Sequence, residues 1–352
     1  PPLGLLTVAA LLPGDWEKRL VDMNVSQLSQ KDLNWADMVF VSAMTLQRDS
    51  ALEVIERCHH QGLKVVAGGP LFTMEYRDFK QVDYFVLNEA EITLPLFLED
   101  LKNGKVRRIY QTTQFADLQK TPIPLWNILD MKKYEAMNIQ YSRGCPFNCD
   151  FCNVTTLFGH QPRVKSADQV IAELDSLYVS GWRGGVFFVD DNLIGNKKAL
   201  KNELLPALTA WNRSKHDLSF NTQVSINLAD DEALMQSMVE AGFNMVFVGI
   251  ETTDESSLDE CNKKQNLKRD LIADVHKLQR AGLQVQGGFI VGFDHDTPST
   301  FQKVGSFIQK SGIVTAMVGL LQAPPGTPLF KRLEKVGRIL TALRETGQYD
   351  NT

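Results

Sequence analysis

Short apolar runs alternate with helical periodicity along the N-terminal third of the chain. Apolar positions at helical spacing predict helices in "LGLLTVAALLP" and in "RDSALEVIERCHHQG". Apolar runs that end in polar or glycine residues predict four strands, which are "KRLVDMN", "DMVFVSAMT", "LKVVAGGP" and "VDYFVLNEAE". Strands that alternate with helices predict an α/β fold. Here they predict a doubly wound, Rossmann-like domain over residues 1–101.

The alternation stops in residues 102–135, where a polar stretch is followed by Pro122 and Pro124, which favour extended chain. We interpret this segment as a linker. The alternation then resumes, with strands predicted in "MNIQYSRG", "GGVFFVDDN", "LSFNTQVSIN", "NMVFVGIET", "LQVQGGFIVGFD" and "AMVGLLQAP". These units predict a partial (β/α)6 barrel over residues 136–335, with its active site at the carboxyl ends of the strands. We interpret residues 336–352 as the start of a truncated C-terminal region.

The helices between the predicted barrel strands are well marked. Ser166 and Gln169 form a capping box that predicts the start of one helix, and Gly181 predicts its end. A second helix, "LIADVHKLQRAG", has the same apolar stripe and ends at Gly282.

The composition is that of a globular protein, with 43% hydrophobic and 22% charged residues in a chain of 352. A net charge of −5, without a basic stripe interleaved with aromatics, disfavours nucleic acid as a partner. No apolar run reaches the roughly 18 residues that a membrane span needs. The odd count of five cysteines indicates reduced thiols and predicts a cytoplasmic protein. Two of the cysteines, Cys58 and Cys261, stand apart from the others, and we interpret both as incidental.

Both ends of the chain indicate a fragment. The sequence opens "PPLGLLTVAALLP", without a methionine and already in a helical pattern, and it stops at "LRETGQYDNT". We therefore expect a piece of a longer protein, in which an upstream targeting segment would lie outside this sequence.

The other three cysteines fall in one loop, directly after the first barrel strand. Cys145, Cys149 and Cys152 form a C-x3-C-x2-C motif at the rim where a barrel carries its chemistry. Thiolates this close together suit a soft metal or an iron–sulfur cluster. The alternative is a structural zinc ion with His160 as the fourth ligand. Zinc sites usually separate two cysteine pairs by a longer gap, which disfavours that alternative.

The loop "RGCPFNCDFC" resembles the signature loop of the radical S-adenosylmethionine (SAM) enzymes, with Phe151 as the aromatic residue before the last cysteine. The resemblance covers about residues 136–335. In that family three cysteines hold a 4Fe–4S cluster, and SAM chelates the open iron. The resemblance therefore implies that these cysteines are metal ligands and catalytic. It also implies that SAM is cleaved to a 5′-deoxyadenosyl radical, which abstracts hydrogen from the substrate.

The ends of the later strands match the same family in order. The resemblance implies contacts with the SAM amino group from Asp190, Asp191 and Asn192, and with the SAM carboxylate and ribose from Gln223 and Ser225. It implies a fourth-strand motif in which Gly249 packs close to SAM and Glu251 is polar at the tip, and an adenine platform from Gly288, Ile290 and Gly292. The segment "PPGTPLF" resembles the stretch after the last strand. Each residue also has a structural interpretation, because acids cap helices and glycines form turns. Their shared position at consecutive strand ends favours function.

The N-terminal third resembles the cobalamin-binding domain that precedes the barrel in one large branch of the family. The matching stretches include "ADMVFVSAMTLQ", "VVAGGP" and "VLNEAE". The resemblance implies cobalamin contacts from Ser42, Thr45, Gln47, Gly68, Gly69, Glu89 and Glu91. The two glycines would let the corrin or its nucleotide tail approach the backbone, where a side chain would collide.

The chain departs from this pattern in two places. The first strand of such a domain, which precedes "PPLGLL" in the family, is missing, and so is the D-x-H-x-x-G loop that supplies a cobalt ligand in some cobalamin proteins. His59 and His60 lie inside a predicted helix, and we interpret them as surface residues. We therefore expect no histidine ligand to cobalt from this chain. The alternative is a domain that has lost cobalamin and only docks on the barrel.

Together the resemblances imply a cobalamin-dependent radical SAM enzyme that methylates an unactivated carbon of a small-molecule or lipid substrate. They also imply an external electron donor such as flavodoxin or ferredoxin. Within the family, the chain resembles the branch that includes hopanoid C-methylases. One alternative is a radical SAM cyclase, rearranging or oxidising enzyme that does not methylate, and another is a non-catalytic zinc-loop protein. Methylthiotransferases carry extra cysteines in the first domain, where this chain has only Cys58, which disfavours them.

Overall fold

The structure is a computed structural model that describes residues 1–214 and 217–339. The chain forms two compact units, Pro1–Tyr134 and Glu135–Thr352. The predicted C-terminal region lies outside the described residues from residue 340 onward. Within the described ranges, no helix combines the length and the apolar character that crossing a bilayer requires.

The first unit is built on a parallel sheet. Its strands are β1 (Met38–Ser42), β2 (Lys64–Gly68), β3 (Tyr84–Val86) and β4 (Ile109–Tyr110). Its helices are α1 (Leu3–Leu11), α2 (Gln30–Trp35), α3 (Arg48–His60), α4 (Pro70–Glu75) and α5 (Ala90–Lys102). The strand order is β1-β2-β3-β4, and every pair is parallel. The carboxyl ends of all these strands therefore lie at one edge of the sheet.

Both faces of this sheet are covered, because successive side chains of β2 point to opposite faces. Val65 packs into one core with Ile55 of α3 and Phe72 of α4. Val66 packs into the other core with Phe97 of α5. All five side chains are at most 2% exposed, and burying each stabilises the fold by about 1.5–3 kcal/mol relative to exposure. The predicted doubly wound α/β fold is confirmed.

One predicted strand of this unit is wrong. The segment "KRLVDMN", residues 18–24, joins no sheet. A cavity of about 860 Å³ is lined by this segment and by β1, whose outer edge has no neighbouring strand within the described ranges. Alternating side chains alone do not make a strand, because a strand also needs backbone hydrogen bonds to a neighbour.

The segment interpreted as a linker, residues 102–135, belongs to the first unit as far as Tyr134. It contributes β4, which pairs with β3, and it buries the side chain of Trp126, which is 2% exposed. A strand of two residues is too short to give a readable alternation, so the sequence pattern did not reveal it.

We expect the backbone amides of β1 to exchange with deuterium faster than those of β2. β1 has a neighbouring strand on one side only, whereas β2 is paired with β1 and with β3. Hydrogen–deuterium exchange measured by mass spectrometry on peptides covering residues 38–42 and 64–68 compares the two strands. Equal protection of both would contradict an open edge, and α3 provides an internal reference for a packed element.

The described part of the second unit, residues 135–214 and 217–339, contains eight strands in two sheets. The strands are β5 (Ala136–Ile139), β6 (Ser142–Arg143), β7 (Arg163–Val164), β8 (Gly185–Phe188), β9 (Phe220–Val224), β10 (Phe243–Glu251), β11 (Gln284–Val291) and β12 (Thr315–Leu320). The helices are α6 (Val154–Phe158), α7 (Ala167–Val179), α8 (Lys197–Ala199), α9 (Leu205–Arg213), α10 (Glu232–Ala241), α11 (Glu255–Glu260), α12 (Leu271–Arg280), α13 (Pro298–Ser311) and α14 (Pro328–Lys335).

The larger sheet has the strand order β12-β11-β10-β9-β8-β5, and all of its pairs are parallel. Because β5 and β12 are its two edges, the sheet is an open, partial barrel, as predicted. The rings of Phe188, Phe220 and Phe243 form one buried cluster inside it, with centroids 5.1–5.4 Å apart. The capping box of α7 is also confirmed, since Ser166 and Gln169 exchange side-chain and backbone hydrogen bonds.

Candidate active site

The cysteine loop, residues 144–153, follows β6 and has a fixed entry. Gly144 has a φ of 95°, and a Cβ at this position would lie 2.9 Å from the carbonyl oxygen of Gln161. Only glycine fits such a conformation and such a close approach. The amide of Cys145 then donates a hydrogen bond to the carbonyl of Gly159 at 3.3 Å. These backbone contacts therefore determine the position of Cys145, the first cysteine of the loop.

All three thiols of the loop are free, and each is buried or half-buried. Burial raises the pKa of Cys145, and it raises the pKa of Cys152 to about 12. The neighbouring sulfur of Cys149 and the carboxylate of Asp191 contribute to both shifts in pKa. Thiols in this environment keep their protons until a cation replaces them. The loop thus concentrates soft ligands at a place that favours added positive charge.

The donor set of the loop fits an iron–sulfur cluster better than a single ion. Within residues 1–214 and 217–339, no three histidine, cysteine or acidic side chains are grouped so that they could hold one metal ion. A 4Fe–4S cluster does not need such convergence, because each thiolate binds a different iron. His160, the fourth ligand in the zinc alternative, is exposed. Three thiols would leave one iron of a cluster open.

Asp190, the first acid after β8, holds the chain that leads into the cysteine loop. It is completely buried, and its carboxylate accepts hydrogen bonds from the amides of Tyr141, at 3.1 Å, and Ser142. The hydroxyl of Ser142 donates a further hydrogen bond at 2.5 Å. Burial raises the pKa of Asp190 to about 6, although these donors lower it. The structure therefore gives Asp190 a positioning role.

The next two residues, Asp191 and Asn192, carry unsatisfied polar atoms. Asp191 Oδ2 and Asn192 Nδ2 are buried and have no hydrogen-bond partner among the described residues. Burial, followed by repulsion from Asp190, raises the pKa of Asp191 to about 7. A buried group without a partner costs about 1–3 kcal/mol, and more if it is charged. An unpaired acceptor next to an unpaired donor fits the ammonium and carboxylate of an amino acid.

The residues at the end of β9 are partly committed to other contacts. Asn192 Oδ1 accepts hydrogen bonds from the amide of Ser225 at 3.1 Å and from its hydroxyl at 3.3 Å. That hydroxyl also lies 2.6 Å from Asn227 Oδ1. Gln223 is half-buried within β9. Ser225 is therefore held in place by its neighbours, and the ligand contacts of Gln223 and Ser225 stay predictions.

A buried ion pair lies at the end of β10, and the sequence analysis missed its cation. Lys263 Nζ donates a hydrogen bond to Glu251 Oε1 at 2.6 Å. Glu251 has a φ of 65°, and a Cβ at Gly249 would lie 2.3 Å from its Oε1. Burial lowers the pKa of Lys263, but the carboxylate of Glu251 outweighs burial and raises it. A fixed positive charge therefore acts on the thiols.

The glycines predicted as an adenine platform serve packing and a turn. A Cβ at Gly288 would lie 2.7 Å from the ring of Phe247. Gly292 has a φ of 107°, and its amide donates to Asp296 Oδ2 at 2.7 Å. Ile290 lies between them and is half-buried. These contacts explain both glycines, and the contact with adenine stays a prediction.

The segment "PPGTPLF" docks on the cysteine loop. The amide of Leu329, in the first turn of α14, donates a hydrogen bond to the carbonyl of Asp150 at 2.9 Å. Thr327 caps α14, since its hydroxyl accepts from the amide of Phe330 at 3.1 Å. Both Thr327 and Leu329 are buried. The segment therefore supports the loop directly, and no sequence pattern predicts this contact.

In the first unit, the two glycines after β2 pack so closely against neighbouring protein atoms that neither position could hold a side chain. A Cβ at Gly68 would lie 2.5 Å from the carbonyl oxygen of Val86, and one at Gly69 would lie 2.3 Å from Ser42 Oγ. Gly69 also has a φ of 84°. Close approach to the backbone is possible only with glycine here. These contacts explain both glycines, and the cobalamin contacts of Ser42, Gly68 and Gly69 stay predictions.

Three of the remaining candidates of this unit, Gln47, Glu89 and Glu91, make structural hydrogen bonds. Gln47 Oε1 accepts from the amide of Met44 at 2.9 Å, next to Thr45. Glu89, which is 3% exposed, accepts from the amide of Ala116 at 2.5 Å. Thr121 donates to Glu91 Oε1 at 3.0 Å. Both acids therefore hold the chain after β4. His59 contacts Asp83 at 3.0 Å, and His60 is exposed.

Each unit matches the sequence model of a known family. The sequence model of the Radical SAM superfamily matches residues 139–308, and that of the B12 binding domain matches residues 1–98. An uncharacterized methyltransferase from Synechocystis sp. is 43% identical over 97% of this chain and 64% of its own length. Hopanoid C-2 methylase from Rhodopseudomonas palustris is 37% identical over 97% of this chain and 65% of its own length.

A solved structure shares the fold of the chain. It is the radical S-adenosylmethionine methyltransferase TsrM from Kitasatospora setae, with cobalamin and a 4Fe–4S cluster bound. It matches with a TM-score of 0.71 and 17% identity over 87% of this chain and 68% of that chain. The fold and the matches define a protein with a B12-binding domain followed by a radical SAM domain. The chain belongs to the cobalamin-binding radical SAM family, which includes hopanoid methylases. It spans just under two thirds of the length of the two relatives above.

We expect Asp191→Asn to stabilise the metal-free protein at pH 8. Folding raises the pKa of Asp191 from 3.8 to about 7, so ionisation of this group destabilises the folded state as the pH rises through that window. The variant should be more stable by a few kcal/mol at pH 8, since one pKa unit corresponds to about 1.4 kcal/mol. Its advantage should disappear towards pH 4. Urea unfolding at both pH values measures the difference.

The matched control for this measurement is Asp259→Asn, which changes an exposed aspartate of α11. The free energy of unfolding of this control should change little at either pH. An Asp191→Asn protein that is no more stable than wild type at pH 8 would show that the carboxylate is not buried without a partner.

Proposed function

We propose that this chain is the catalytic part of a cobalamin-dependent radical SAM methyltransferase, which methylates an unactivated carbon of a small-molecule or lipid substrate. The observation that carries the proposal is the combination of three free thiols in one loop with the unpartnered Asp191 carboxylate beside them. The B12-binding match in the same chain and the methyltransferase names of the relatives support the methyl-transfer part.

The proposed roles in the second unit follow from its geometry. When bound, the cluster with SAM would supply a 5′-deoxyadenosyl radical, and cobalamin would supply a transferable methyl group. Cys145, Cys149 and Cys152 would hold the cluster. Asp191 would accept hydrogen bonds from the SAM ammonium, and Asn192 Nδ2 would donate to its carboxylate. The other proposed SAM contacts come from Phe151, Gln223, Ser225, Gly249, Glu251, Gly288, Ile290 and Gly292. Asp190 would act mainly by holding the chain that leads into the cysteine loop, which it already binds.

In the first unit, we place cobalamin at the carboxyl ends of the strands. The B12-binding match over residues 1–98 supports this placement, because ligands of parallel α/β sheets bind at the carboxyl ends of the strands, where Ser42, Gly68 and Gly69 lie. The other proposed contacts are Ser42, Thr45, Gln47, Glu89 and Glu91. Glu89 and Glu91 would act there mainly by holding the chain after β4, which both already bind.

The first class of methyl acceptor to test is a polycyclic lipid. This choice follows from the relative named hopanoid C-2 methylase, which is similar along nearly the whole chain. The proposal also includes an external electron donor such as flavodoxin or ferredoxin, because cleavage of SAM requires one electron. A cyclase, rearranging or oxidising reaction would form 5′-deoxyadenosine without S-adenosylhomocysteine, so the two products distinguish methyl transfer from these alternatives.

We expect anaerobic reconstitution with iron, sulfide and cobalamin to load the protein with about four irons and one cobalt per chain. With reduced flavodoxin, SAM and an acceptor lipid, both S-adenosylhomocysteine and 5′-deoxyadenosine should form. Cys145→Ala should abolish SAM cleavage, because two thiolates hold a cluster poorly. Metal analysis and chromatography of the products measure these outcomes, and Cys58→Ala is the matched control that should behave like wild type.

Each contradicting result points to one part of the proposal. One zinc in place of four irons would overturn the radical chemistry. Iron without cobalt would remove the first unit from the reaction. Cobalt with 5′-deoxyadenosine alone would overturn the methyl transfer and favour a non-methylating reaction. SAM cleavage that survives in Cys145→Ala would mean that this cysteine is not a ligand.

We expect Asp191→Ala to bind SAM about 10- to 100-fold more weakly than wild type, because hydrogen bonds to charged groups contribute about 1.5–3 kcal/mol. The cluster absorbance should stay intact. Equilibrium binding of SAM to the reconstituted protein measures the effect, with Asp259→Ala as the surface control. Joint loss of iron and SAM binding would instead show that Asp191 is needed for folding of the site.

A further inference from the structure

A single segment, residues 261–266, contacts consecutive residues of the cysteine loop. Asn262 Nδ2 donates a hydrogen bond to the carbonyl of Asn148 at 2.6 Å. The amide of Asp150 donates to the carbonyl of Cys261 at 2.9 Å. These two bonds flank the middle cysteine of the loop on both sides. We call residues 261–266 the support segment.

The middle cysteine receives its own contact from the support segment. Gln265 Nε2 lies 3.6 Å from Cys149 Sγ and donates a hydrogen bond to it. Cys149 is 8% exposed, so water has little access to this sulfur. The other amide atom, Gln265 Oε1, is buried without a hydrogen-bond partner in the described part of the chain. Burying this oxygen without a partner costs free energy, and the same amide directs its N–H group at the sulfur of Cys149.

The support segment is itself fixed to the end of β10. Asn266 Nδ2 donates hydrogen bonds to the carbonyls of Gly249 and Ile250, both at 3.0 Å, and Asn266 is 1% exposed. The buried pair of Lys263 and Glu251 adds a second attachment. Gln265 lies between these two anchors, so its position relative to the loop is determined by the sheet.

We propose that Gln265 is a positioning residue that orients Cys149 and raises the reduction potential of a cluster bound to the loop. This inference rests on the proposed function. An N–H group that donates to a ligand sulfur withdraws electron density and stabilises the reduced cluster, which carries more negative charge. Without the donor, reduction of the cluster becomes harder. Gln265 thus sets how readily the electron needed for SAM cleavage is accepted.

The test replaces the amide by a side chain of similar length without a donor. We expect Gln265→Met to retain about four irons. At a fixed applied potential, the ratio of reduced to oxidised cluster should fall about fivefold, as expected for one lost hydrogen bond. Redox titration followed by electron paramagnetic resonance measures this ratio without turnover. Gln236→Met is the matched control, because Gln236 lies on the exposed face of α10 and donates to Glu240.

A second variant keeps the test decisive if Gln265→Met loses its irons. Gln265→Glu keeps the side-chain volume, removes the donor and adds negative charge, so its potential should fall at least as far. An unchanged potential in whichever variant retains its irons overturns the proposal. If both variants fold, as judged by circular dichroism, but lose iron while Gln236→Met keeps it, the orienting role is supported. Equal loss from all three overturns it. Wild type that assembles no cluster contradicts the proposed function itself.

Discussion

The geometry of the site depends on the buried carboxylate of Asp190. This carboxylate accepts hydrogen bonds from two consecutive residues, Tyr141 and Ser142, just before the cysteine loop. Removing such partners from a buried acid costs several kcal/mol, so the end of β8 and the start of the loop are held as one piece. Asp191 follows Asp190 directly along the chain. One interaction therefore determines the distance between the thiols and the carboxylate that is free to bind a ligand.

The electrostatics of the site follow from that arrangement. Burial and mutual repulsion raise the pKa of Asp191 and of the thiols of Cys145 and Cys152, while Lys263 supplies one fixed cation among them. Ionising any of these acidic groups without a counter-charge costs free energy. A cationic cofactor would relieve this cost for all of them together. The site is thus less stable by itself than a neutral core, which is typical of a functional site.

Much of this fold could be predicted because its information is local. The six barrel strands are apolar runs bounded by turns, and each occupies the sheet position that the pattern implied. The cysteine loop is equally readable, since its spacing is set within a single turn of chain. The support segment could not be predicted, because nothing in "DECNKKQN" shows that Lys263 and Gln265 meet a loop more than a hundred residues away. The prediction for the segment "KRLVDMN" failed for the opposite reason: its local pattern is that of a strand, but no strand in the described part of the chain pairs with it.

The contrast between local patterns and contacts made by distant residues also explains why resemblance to a family identifies the position of a site residue more readily than its role. Three adjacent residues, Asp190, Asp191 and Asn192, follow one strand, yet only the middle one keeps a free acceptor. In the first unit, Glu89 and Glu91 lie at a strand end as a ligand site would require, but both bind the chain after β4. A polar side chain at a strand end satisfies its hydrogen bonds within the protein whenever a backbone group is in reach. The side chains left unsatisfied therefore indicate where a ligand binds.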